Sequence, residues 1–144
     1  MKTLKTIILG LVAVVTFGAA SAKNIDNTAN EKTSINYAVN AYVNAIAHGQ
    51  NEALTEVLDN NFKFTMLRGK TMVSCNKAEL MEFLKTTENV KQDCKSTVMV
   101  NESNADITVV KVNMQYKGFL RTNYVTLANT NDGWKITNVY SVFK

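Results

Sequence analysis

The chain has 144 residues, 46% of them hydrophobic and 19% charged, with a formal net charge of +4. That is one domain's worth of sequence with apolar content for a single modest core, and two domains would strain it. Lys2 and Lys5 sit in an N-terminal segment that reads as cleaved, which leaves 14 basic against 12 acidic residues. So small and evenly spread a charge argues against nucleic acid or an anionic membrane as a partner.

Residues 1–22 have the form of a secretory signal peptide. Lys2 and Lys5 supply the positive start, residues 7–17 the apolar stretch, and Ala20-Ser21-Ala22 the small residues before a cut ahead of Lys23. A transmembrane helix needs roughly 20 apolar residues, more than this stretch offers. No cysteine precedes Cys75, so an N-terminal lipid-anchoring cysteine is absent. The mature chain is therefore expected to be exported, periplasmic or secreted, with no membrane attachment after cleavage. Residues 23–32 are polar and aperiodic, which suits a flexible leader, and the domain proper is expected over 33–144.

From Thr33 onward the apolar residues Ile35, Ala38, Val39, Tyr42, Val43, Ile46 and Ala47 recur at steps of three and four, the spacing of an amphipathic helix. Thr33 or Ser34 can cap its start and Gly49 can stop it. A second helix is expected over 52–58, with Leu54, Val57 and Leu58 buried and Asp59-Asn60-Asn61 as breaker. Phe62, Phe64 and Met66 alternate with Lys63, Thr65 and Leu67, and 71–75 returns after Arg68-Gly69-Lys70, a β-hairpin pattern. Asn76 with Glu79 three positions on predicts a capping box opening a third helix, whose inner face would be Leu80, Phe83 and Leu84.

Four strands follow, over 95–101, 106–117, 119–129 and 134–143, with turns at 102–105, at Gly118 and at 131–133. In the second of them Val110, Val112, Met114 and Tyr116 share one face and Lys111, Asn113, Gln115 and Lys117 the other. Three helices in the N-terminal half, a hairpin and a four-strand meander define an α+β domain. Its helices would pack on a strongly curved, mainly antiparallel six-stranded sheet forming a cone.

The opening helix 35–48, the segment Leu58-Asp59-Asn60-Asn61-Phe62, the strand 121–127 and the closing Gly133-Trp134-Lys135-Ile136 resemble the nuclear transport factor 2-like superfamily, a cystatin-like α+β cone. Within it the chain is similar to the bacterial exported proteins of the "putative lumazine-binding" family. The resemblance covers nearly all of the mature chain. It implies a pocket between sheet and helices, and often a homodimer through the outer sheet face, but the fold hosts isomerases, dehydratases, cyclases and pure binders alike.

Residue types narrow the chemistry. The single histidine, His48, ends the first helix, where the helix dipole favours a cation. The acids fall in turns, at strand starts or on helix surfaces, so periodicity places no carboxyl inside a pocket. Tyr42, Phe64, Met66, Met114, Tyr116, Arg121, Tyr124, Trp134 and Tyr140 are the pocket-lining candidates, with Thr97 and Asn123 as further inward polar groups; the alternative is that the aromatics and methionines are simply core. A slip of one residue would reverse each strand assignment.

Cys75 and Cys94 allow a disulfide worth about 3 kcal/mol in the chain-entropy model, or two buried thiols. Together with His48 they lack metal-ligand spacing, and Gly69-Lys70-Thr71 has Phe64 where a phosphate loop needs glycine, so neither metal nor cofactor is expected. Asn101-Glu102-Ser103 fits the glycosylation sequon, a pattern short enough to arise by chance.

Three functions remain open: a non-catalytic binder of a small, partly apolar ligand, an isomerase- or hydro-lyase-like enzyme, and a dimeric interaction module with a filled cone. The first is the primary expectation. The third would use Phe119, Val125, Leu127 and Val139 as its outer sheet surface.

Overall fold

A computed structural model describes residues 31–144; the signal-peptide reading and nearly all of the leader reading lie outside them. A single 3-10 turn, Glu31–Thr33, leads into helix α1, Ile35–His48. Ser34 caps it by accepting the Tyr37 N–H at 3.1 Å, and of the expected face Ala38, Val39, Tyr42, Ile46 and Ala47 are buried, joined by Ala41 and Ala45, while Ile35 and Val43 are only partly covered.

Gly49 ends α1 in the left-handed region at φ 67°, and a Cβ there would come within 2.7 Å of the backbone of Thr87, Asn89 and Val90. Glycine is thus required twice, by its dihedral and by the loop packed on it. That loop is fastened to the helix end by Asn89 N–H to Gly49 O at 2.9 Å and Gln92 N–H to Ala47 O at 2.7 Å.

Helix α2 is only Leu54–Val57, shorter than expected, because the chain is already extended at Leu58. Asp59-Asn60-Asn61 does not break a helix but lies in strand β1, Leu58–Arg68, where the pairing with its neighbour shifts between Leu58 and Lys63. β2, Thr71–Asn76, completes the hairpin. Helix α3, Lys77–Lys85, opens with the predicted capping box: Asn76 Oδ1 accepts the Glu79 N–H at 3.0 Å and Glu79 Oε2 accepts the Asn76 N–H at 2.8 Å. Leu80 and Leu84 face inward as expected, but Phe83 is 63% exposed.

Strands β3, Lys95–Ser103, β4, Ile107–Tyr116, β5, Phe119–Thr130, and β6, Gly133–Phe143, form the meander. The sheet order is β2-β1-β6-β5-β4-β3, antiparallel throughout except for the parallel pair β1 and β6. This is the expected α+β cone, a curved sheet with helices on its inner face.

Cross-strand partners share a face, so register assigns every inward residue. Val112, Asn123 and Ser141 form one inner row with Met66 and Val73, and Met114, Arg121 and Phe143 the next. The β4 assignment therefore stands. The four residues expected on the outer surface do not: Val125, Leu127 and Val139 are fully buried in the core, and Phe119, though exposed at the strand end, shares the face of its partner Tyr116, on which it stacks. The inward set of β5 is its odd-numbered residues, a parity that a two-residue turn transmits from β4. Thr97 pairs with Asn113 on the outer face, so it is not an inward group.

Candidate functional site

A cavity of about 450 Å³ opens at one end of the curved sheet, between α3, the β1–β2 hairpin and the ends of β5 and β6. Each wall follows from local structure. The capping box fixes the first turn of α3, which presents Leu80, Phe83 and Leu84. Alternation along β1 presents Phe64 and Met66. The loop fastened to Gly49 contributes Thr87 and Gln92. The lining is mostly apolar, the composition of a small-molecule site, and the volume lies in the range such sites occupy.

Arg121 is its principal polar feature. Its Nε donates to Asn123 Oδ1 at 3.1 Å and to Ser141 Oγ at 2.9 Å. The guanidinium carbon sits 5.9 Å from the ring centre of Phe64 and 5.7 Å from that of Phe143, both cation–π distances. Asn123 is fully buried; its Oδ1 also accepts the Tyr42 hydroxyl at 3.1 Å, and its Nδ2 donates to the Val112 carbonyl at 3.4 Å. Tyr42, Asn123, Ser141 and Arg121 thus form one polar chain running from the core to the pocket.

The nine expected lining residues divide accordingly. Phe64, Met66, Tyr116 and Arg121 line the cavity. Tyr42 and Met114 are fully buried behind it. Trp134 packs on the core at the opposite end of the β5–β6 ladder, opposite Asn129. Tyr124 and Tyr140 pair with each other on the outer face, where the Tyr140 hydroxyl meets Met72 Sδ at 3.5 Å. These last five do not line the cavity: depth, register and position along the strand, not residue type, decide which aromatic meets the pocket. Phe83, Phe143 and Ser141 were missed. Ser141 was recoverable by counting two residues on from Val139 once the latter was known to face inward.

Two phenols and one thiol at the site are shifted toward their neutral forms. Burial pushes the Tyr42 phenol up to about 12, opposed by the nearby Arg121 charge. Burial, then Cys94, raises Tyr116, again opposed by Arg121. Burial, then the Glu79 carboxylate, raises the Cys75 thiol. At neutral pH the site therefore offers hydroxyl donors and a fixed cation. Glu79 is the one acid lining the cavity, and its Oε2 is held in the capping box. His48 is not among the lining residues.

Cys75 and Cys94 are free, half-buried thiols, Cys75 on the cavity wall. Among the described residues no group of three His, Cys, Asp or Glu side chains could hold a metal ion, and no helix is long and apolar enough to cross a membrane.

Solved structures share this architecture. An NTF-2 like protein of unknown function from Silicibacter pomeroyi superposes with a TM-score of 0.63 at 14% identity, covering 83% of this chain and 98% of that one. A counterpart from Shewanella baltica gives 0.62 at 10% identity, over 84% and 98%. A ketosteroid isomerase-like protein from Erwinia carotovora atroseptica gives 0.60 at 17%, over 81% and 98%. At such identities the likeness is one of fold alone, the fold of these NTF-2 like proteins. Residues 30–141 match the family described as "Putative lumazine-binding", and the chain belongs to that family. A search of the curated proteins finds no match.

Proposed function

We propose that this is an exported, non-catalytic binder of a small, partly apolar molecule, held in the cavity beside Arg121. The observation that carries the reading is a preformed, mostly apolar cavity of about 450 Å³ whose floor is an ordered arginine and whose single acid is committed to a helix cap. General acid–base chemistry on a carbon acid needs a carboxylate or imidazole free to accept a proton, and the one carboxylate on this lining, Glu79, is held through Oε2 by the helix cap. The family's description, with its reference to a lumazine, adds weight to a small ligand, and the pattern of residues 1–22 to export.

The test is native mass spectrometry of the mature chain purified from the periplasm. A stoichiometric extra mass that is lost on denaturation is the expected result. Isomerase or hydro-lyase turnover abolished by Glu79→Gln would overturn it.

A second reading, a homodimer through the outer sheet face, is favoured by apolar exposure at the β3 edge, where Met99 on that face is 58% exposed. Light scattering checks it: a dimer converted to monomer by Met99→Lys supports the contact, and a monomer at micromolar concentration removes it.

A further inference from the structure

The inference concerns what the cavity selects, and it rests on the binding reading above. Arg121 is half-buried, and Nε is the atom its described hydrogen bonds use. Those two bonds fix the plane of the guanidinium, since Asn123 and Ser141 are themselves fully buried and held by the sheet. The guanidinium carbon lies over the rings of Phe64 and Phe143. Arg121 lines the cavity beside the Tyr116 phenol, on which its charge also acts, and no described carboxylate there occupies its fork of N–H donors.

Among the described residues no carboxylate pairs with this cation. The charged lining residues are Arg68, Glu79 and Arg121, and Glu79 is occupied by its cap, so the lining carries an excess of positive charge. A guanidinium in a mostly apolar recess with no counter-ion is poorly compensated. Its planar fork matches the two oxygens of a carboxylate better than any neutral acceptor. The Tyr116 phenol on the same wall is neutral at neutral pH, so it adds no negative charge to offset Arg121.

We propose that the cavity selects small apolar anions, an aromatic or aliphatic acid whose carboxylate meets the guanidinium of Arg121 while its body lies among Met66, Leu80 and Phe83. The fork, not the size of the recess, is then the source of discrimination between an acid and its neutral analogue.

Two fluorescent probes of one skeleton test this, 8-anilinonaphthalene-1-sulfonate and N-phenyl-1-naphthylamine, with and without the anionic group. Both are titrated into the mature chain and competed with 1-naphthoate and its methyl ester. The expected result is one site for each probe, the anion binding about tenfold or more tighter, and 1-naphthoate competing at least tenfold better than the ester. Arg121→Gln should abolish both preferences and leave the neutral probe's affinity within about twofold.

Equal binding of the two probes, with equal competition, overturns the anion inference and leaves the binding reading standing. Failure of both probes and both competitors overturns the two together. An anion preference that survives Arg121→Gln places the selectivity elsewhere and overturns the assignment to Arg121. Should that variant not fold, the wild-type competition and Arg121→Lys, expected to keep charge attraction but lose at least threefold of the carboxylate preference, decide in its place.

Discussion

The two ends of strand β5 face the same interior and do opposite things. Leu127 and Val125 at one end are fully buried among Ile136, Val139 and Val110, leaving no space. Asn123 and Arg121, two and four residues earlier on the same face, replace apolar filling with a hydrogen-bonded chain that stops at an open cavity. One strand thus changes from core to site in four residues, a gradient from aliphatic to amide to guanidinium. The filled end supplies rigidity that the open end spends on holding a charged group still.

The comparison breaks first at the filled end. Leu127→Ala should cost about 2–5 kcal/mol in urea denaturation while leaving probe affinity per folded molecule unchanged; a cost below about 1 kcal/mol would mean the two ends are equally loose. Next is the junction. Asn123→Leu deprives the Tyr42 hydroxyl and Arg121 Nε of a shared acceptor, and about 1–3 kcal/mol of stability should go, together with the anion preference. Retained preference would show that Ser141 alone aims the guanidinium.

Tyr42→Phe should be milder, about 1 kcal/mol at neutral pH, since Asn123 Oδ1 keeps Arg121 as a donor. Its signature is alkaline. A phenol at about 12 when folded and near 10 when unfolded stabilises the fold in full below pH 10, and that contribution fades as pH rises toward 12. The wild-type chain should therefore lose stability more steeply than Tyr42→Phe between pH 10 and 12, and parallel slopes would refute the buried phenol. The smallest expected effect is at the mouth. Phe83→Ser should change stability by no more than about 0.5 kcal/mol, because the side chain is already exposed, yet weaken the neutral probe severalfold.

The gradient also marks where sequence reasoning reached. The helix over Ile35–His48, the capping box at Asn76, the hairpin and the face of β4 were legible because each rests on local chemistry: periodicity, a cap, a turn, an alternation. The parallel contact between β1 and β6 was not, since nothing within either strand names a partner about 75 residues away. Phe64, Met66, Tyr116 and Arg121 were legible as lining residues by type and alternation. Tyr124 and Tyr140 misled because in a sheet a tyrosine is equally at home on either face, and only the pairing of Val125 with Val139 reveals which. Asp59-Asn60-Asn61 reads as a break and does break something: the regular pairing at the start of β1 rather than a helix.

The place of β6 has a kinetic consequence. It lies between β1 and β5 in the sheet, yet Gly133–Phe143 is the last strand in the chain. Until β6 is in place, β1 and β2 cannot join β3, β4 and β5, the cavity lacks Phe143, and Arg121 lacks its Ser141 acceptor. Closure must span most of the domain's length, which raises contact order and slows folding relative to a helical bundle of the same size. The sheet and the binding wall are therefore completed together, when the two halves close on β6.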